Sequence, residues 1–171
     1  MKKTDFALES FKNIQDLIKF IDQKSSLVLV VSGLIFTGYI EFIKDLIFIS
    51  PRDSNFWSIL TFLSSLSTLI CLTLVLYISI FKILKPQKAK HYGVSDKSLF
   101  YYEHLASIGK EQVLAEYDSI SEDKMLKEII DQQHEVSVIL NTKQNEFGKS
   151  LIFLFVSMIS IIIFILSSFQ L

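Results

Sequence analysis

The run Phe100, Tyr101, Tyr102, Glu103, His104, with Lys97 close by, gathers the groups in this chain best suited to hold a small molecule. Aromatic rings stack on a nucleobase, and a lysine meets a phosphate. In isolation the same run also reads as ordinary helix packing. His91, His104 and His134 are scattered, with no second ligand at a metal-site spacing. Glu103 with His104 is the best catalytic candidate, and it reads as a surface pair. The five glycines are spread along the chain, so no loop is rich enough in glycine to cradle phosphates. No serine sits in a nucleophile-elbow context. The expectation is a non-enzyme with no cofactor and no metal site.

A second pattern is made of hydroxyls. Ser54, Ser58, Thr61, Ser65 and Thr68 recur at alternating spacings of four and three, which places them on one stripe of a helix. Ser157, Ser160 and Ser167 form a weaker stripe, and Ser32, Gly33 and Thr37 a small-residue patch. Small and hydroxyl residues let membrane helices approach and hydrogen-bond. The stripe is therefore either packing glue within one subunit or a polar seam that opens between subunits. No ionisable residue lies deep in the flanking apolar sequence to mark an ion path.

These hydroxyls sit in three apolar segments, residues 25–40, 54–81 and 150–171, which are free of Asp, Glu, Lys and Arg. A helix rises about 1.5 Å per residue and a hydrocarbon core is about 30 Å thick. The second and third segments span it with length to spare. The first reaches only about 24 Å. To span, it borrows from residues 41–48; otherwise it is half-buried or interfacial.

Composition agrees with a membrane protein. Half of the residues are hydrophobic, 20% are charged, and the net charge is −1. Bulk electrostatics make no case for a nucleic acid polymer as partner. Cys71 has no partner and reads as a packing residue. Acidic residues interrupt the N-terminus before any apolar run, unlike a cleavable signal peptide. Lys2, Lys3, Lys12, Lys19 and Lys24 precede the first segment, Lys82, Lys85, Lys88 and Lys90 follow the second, and Lys143 and Lys149 precede the third. The positive-inside rule then predicts a cytoplasmic N-terminus, cytoplasmic residues 81–149 and an outward C-terminus. Trp57, Phe56 and Tyr39 are placed to anchor segment ends at the interface.

The remaining sequence is helical in pattern. Phe11, Ile14, Leu17 or Ile18, and Ile21 line one face of an amphipathic helix that meets the first apolar segment without Gly or Pro, so the two read as one bent helix. Pro86 and Gly93 mark a loop. Ser95 or Asp96 can cap a helix over residues 98–117. Ser119 and Glu122 form a capping-box pattern ahead of a second helix. The apolar face of that helix is Leu126, Ile129, Ile130, Val136, Ile139, Leu140 and Phe147. The predicted fold is an all-α membrane protein: an amphipathic helix at 1–24, transmembrane helices at 25–48, 54–84 and 149–169, and a cytoplasmic helical region at 85–148. Three thin helices with hydroxyl stripes cannot enclose a conduit alone, which predicts a homo-oligomer in the lipid bilayer.

The order of these pieces resembles one family. A helix ending in Phe20, Ile21, Asp22, Gln23, Lys24, Ser25 leads into a membrane segment, and a second membrane helix follows. Then come Ser98 to Ala106 with their Tyr101-Tyr102 pair, an amphipathic helix with a late Lys, and a final membrane helix. This is similar to the transmembrane effector family of Pycsar, a bacterial anti-phage system. Asp22 and Lys24 match an Asp-x-Lys that the family carries before its first membrane helix. Glu103 stands where the family's aromatic pair is typically followed by Gly. The resemblance implies a cytoplasmic site for a cyclic nucleotide second messenger, cyclic UMP or cyclic CMP, with Asp22, Lys24, Tyr101, Tyr102 and His104 as its candidate residues. It also implies impairment of the cell inner membrane and abortive infection. Two other readings stay open: a membrane-impairing effector gated by another signal, and an accessory subunit of a larger membrane complex.

Overall fold

The computed structural model describes residues 3–44, 55–87, 99 and 102–170, with side chains of the last stretch from Leu105 onward. The described elements are helical, with no strand among them. They are α1 (Lys3–Lys44), α2 (Phe56–Tyr77), α3 (Tyr102–Ser107), α4 (Lys110–Ser119) and α5 (Glu122–Ser168). Three of these helices are long and apolar enough to cross a membrane. The expected all-α membrane fold is observed.

The amphipathic N-terminal stretch and the first apolar segment form one helix, α1. Nothing between them removes a backbone donor or frees a carbonyl, so the hydrogen-bond ladder continues. Its buried residues include Thr4, Ser25, Ser32 and Tyr39, with half-buried Phe11 and Ile18 at the intervening positions. That is a strict seven-residue repeat. In α5 the same repeat runs through Ile129, half-buried Val136, Lys143, Ser150, Ser157 and Phe164. A seven-residue repeat keeps one face inward only when helices supercoil left-handedly. Leu17, 52% exposed, is off the inward face, and Ile18 occupies it. Ile130 is 50% exposed, although the apolar pattern assigns it to the buried face with Ile129. One residue is about 100° of helix rotation, enough to turn it away.

α2 continues into a wider π-helical stretch, Ile78–Leu84. The Lys85 N–H donates to the Ile80 carbonyl at 3.1 Å, five residues back. Lys85 itself is extended (φ −60°, ψ 128°), as a residue before proline must be, and Pro86 ends the helix.

Two local expectations change. The single helix predicted over 98–117 is two, α3 and α4, separated at Ile108 and Gly109. Gly109 is extended (φ −68°, ψ 149°) and caps α4. The capping residue of α5 is Ser121, whose Oγ accepts from the Lys124 N–H at 3.2 Å. Ser119 instead donates to the Glu116 carbonyl at 3.2 Å, closing α4. The Ser95 or Asp96 cap, Lys97 and residues 45–48 lie outside the described residues. Gly148 does not interrupt α5.

The chain divides into two compact units. The first comprises Met1–Phe20 and Gln87–Thr142. In it Gln133 Nε2 donates to Ser10 Oγ at 2.8 Å, tying α5 to α1. The second comprises Ile21–Pro86 and Lys143–Leu171. Here Asp22 pairs with Lys143 and Tyr39 meets Phe164, so α1 and α5 run parallel. Thr61 meets Ser167 and Ser67 meets Ser160, so α2 runs antiparallel to α5.

Candidate functional site

The second unit buries many hydroxyls beside apolar Leu72, Val75, Ile83 and Phe164, and turns much of its hydrocarbon outward. Ser25 and Ser32 of α1, Thr61, Ser64, Ser65 and Thr68 of α2, and Ser150, Ser157, Ser160 and Ser167 of α5 are all buried. Leu27, Leu34, Phe62, Ile152, Phe155 and Leu166 are exposed. A soluble bundle would reverse this arrangement. In lipid, apolar side chains gain nothing by turning inward, and small residues allow close helix approach.

The hydroxyls are bonded largely to their own helices. Ser64 donates to the Leu60 carbonyl at 2.8 Å, Thr68 to that of Ser64 at 2.9 Å, and Ser157 to that of Leu154 at 2.7 Å. Among the described residues, some hydroxyl contacts cross between helices. The Thr61 hydroxyl lies 2.8 Å from both the Trp57 carbonyl and Ser167 Oγ, sharing one proton between them. Ser67 and Ser160 are 3.1 Å apart. Of the stripe read from the sequence, Thr61, Ser65 and Thr68 face this interior, Ser58 is half-buried, and Ser54 lies outside the described residues.

At the Asp22 end of this interior sits an ion pair. Lys143 Nζ donates to both oxygens of Asp22, at 2.6 and 2.8 Å. The lysine side chain is only 6% exposed and the aspartate 35% exposed. Lys143 reaches the pair because it falls on the same seven-residue repeat as Ser150 and Ser157. Sequence reasoning noted Lys143 only as a charge flanking the third segment. The repeat was the signal that could have found it. Ser25, Ser64, Ser67, Ser79 and Ser150 were likewise not singled out.

The Asp-x-Lys residues point different ways. Positions two apart on a helix differ by about 200°. Asp22 therefore turns to α5, while Lys24 is exposed. Tyr102 opens α3 and His104 lies within it. Tyr101 lies outside the described residues. A cavity of 210 Å³ is lined by Ile35, Gly38, Tyr39, Phe42, Ile161, Phe164 and Ile165. It has no charged group to meet a phosphate, so it suits an alkyl chain and not a nucleotide. Among the described residues no group of His, Cys, Asp and Glu is placed to hold a metal ion.

These features define a helical membrane protein with many buried hydroxyls. The family model for the Pycsar effector protein domain matches residues 6–169, and the chain belongs to that family. It is a Pycsar anti-phage membrane effector. Among curated proteins and among solved structures, nothing matches the chain.

Proposed function

We propose that this effector responds to a cyclic pyrimidine mononucleotide, cyclic UMP or cyclic CMP, and then impairs the inner membrane so that the infected cell stops growing. The observation that carries this reading is the family match over residues 6–169. The three long apolar helices and the buried hydroxyls are consistent with it. The effector acts without catalysis, as a homo-oligomer, with its N-terminus and residues 81–149 in the cytoplasm. Asp22, Lys24, Tyr101, Tyr102 and His104 are its candidate ligand residues. Lys24, exposed on α1, is the cation proposed to meet the phosphate.

Cells expressing the chain alone are expected to keep their membrane potential. Cells that also express an active pyrimidine cyclase are expected to depolarise, read with a potential-sensitive dye. Lys24→Ala should blunt that response while membrane insertion persists. Depolarisation indifferent to cyclase activity would sink the ligand-gated reading.

Sidedness is tested separately. A reporter fused at Lys110 is expected to give a cytoplasmic signal, and one at Leu171 a periplasmic signal. A periplasmic signal at Lys110 would overturn this orientation.

A further inference from the structure

The cavity beside Gly38, Tyr39, Phe42 and Phe164 is open space of 210 Å³ between α1 and α5. Phe164, 0% exposed, closes its inner side, and the rings of Tyr39 and Phe42 stand edge-on to it at 5.2 and 5.9 Å. Edge-to-face contacts hold aromatic rings in set orientations. Gly38, Phe42 and Ile165 are exposed, so the cavity opens sideways. Gly38 and Tyr39 lie in the charge-free segment 25–40, and Phe164 and Ile165 in the charge-free segment 150–171. What meets the opening is therefore the hydrocarbon of the bilayer.

Gly38 leaves this space empty. Glycine weakens a helix relative to alanine. In membrane helices it is favoured where another body comes close. The described chain supplies no such body, because a β-carbon at Gly38 would meet nothing within 4 Å. The bilayer supplies one. A second helix, about 10–12 Å across with its side chains, cannot enter a gap between two packed helices. A single alkyl chain can: a dry apolar cavity of about 150 Å³ already takes up benzene.

We propose that this slot binds one acyl chain of a membrane phospholipid, laid between α1 and α5 against Gly38. The lipid is held by the protein and is not merely part of the solvent around it. The site goes beyond the nucleotide response proposed above and does not depend on it.

The test uses the full chain, reconstituted in vesicles of phosphatidylethanolamine and phosphatidylglycerol, extracted into a mild detergent and weighed by native mass spectrometry. The unmodified chain is expected to keep one phospholipid per chain after extended washing. Gly38→Leu places a side chain in the slot and should lower the retained fraction at least fivefold. Gly33→Leu is the control. A β-carbon there would also meet nothing within 4 Å, yet Gly33 does not line the cavity. This variant should keep its lipid. Both substitutions replace glycine with a stronger helix former in open space, so circular dichroism should show both variants folded.

An unmodified chain that carries no phospholipid would overturn the site. So would full retention by Gly38→Leu. Equal loss from Gly33→Leu would overturn it as well, since the lipid would then be held loosely around the whole bundle. Multimers that carry no lipid and fall apart with Gly38→Leu would assign the slot to a side chain of a second copy, and the lipid would be ruled out.

Discussion

Asp22→Ala is expected to lower the stability of the membrane-embedded unit by about 3 kcal/mol, the low end of the range for breaking a buried pair. The low end applies because Asp22 retains contact with solvent, its side chain being 35% exposed. The loss arises at the other partner. Lys143 is 6% exposed, and it donates to both oxygens of Asp22, at 2.6 and 2.8 Å. Removing the carboxylate strands an ammonium inside the bundle. The reverse change is gentler. Lys143→Met leaves a carboxylate that can hydrate, and the thioether fills much of the lysine stem's volume, so the loss should be about 1 kcal/mol. Thermal unfolding of the purified variants in a mild detergent gives the order directly. Equal losses, or a larger one for Lys143→Met, would mean that the pair is solvated and holds nothing together.

The second large effect comes from size. Ser157→Leu is expected to destabilise the same unit by about 1–3 kcal/mol, the usual penalty of overpacking. It is also expected to prevent depolarisation in cells that make the cyclic nucleotide. Ser157 is 0% exposed, and its hydroxyl is already bonded to the Leu154 carbonyl at 2.7 Å. The site therefore has no room for the added carbons. Thr61→Val makes the opposite change: it removes the hydroxyl that meets Ser167 but keeps the shape. An interhelical hydrogen bond in a membrane protein averages about 0.6 kcal/mol, so this variant should lose little more than that. The comparison separates polarity from volume. If Thr61→Val proves as damaging as Ser157→Leu, hydrogen bonding and not close approach holds α2 to α5.

The boundary residues show where local signals suffice. Pro86 sets the extended Lys85 and the end of the second long helix, because its ring constrains the residue before it. The break at Ile108 and Gly109 was not read, since the helical pattern on either side is continuous and glycine is tolerated within helices at a modest cost. The cap at Ser121 was placed two residues early, because Ser119 has Glu122 three residues on whereas Ser121 has Lys124 there.

The candidate site was legible in part. The hydroxyl stripe of α2 follows from spacing alone, and Thr61, Ser65 and Thr68 do face inward. What that stripe faces was not legible. It meets Ser167 of the same chain through Thr61, and Ser67 beside it meets Ser160, contacts across roughly a hundred residues of sequence. Inside lipid every face of a helix is apolar, so hydrophobicity does not label the inward face as it does in water. Only the repeat of small and polar residues labels it, and that repeat becomes unambiguous when two helices display it together.

Sequence by itself determined that this is an all-helical membrane protein of three long apolar helices and a helical remainder. Length, hydropathy and the placement of charge are properties of single segments, and each segment carries them unaided. The family also lay in the sequence, in the order of short motifs along nearly the whole chain. Tertiary structure alone decided that Asp22 belongs with Lys143 and not with Lys24. Asp22 and Lys24 are neighbours in sequence but about 200° apart around one helix. Asp22 and Lys143 are 2.6 Å apart because two parallel helices pack with both residues where their faces meet. A charge pair is set by which faces meet, and that is a property of the packed bundle.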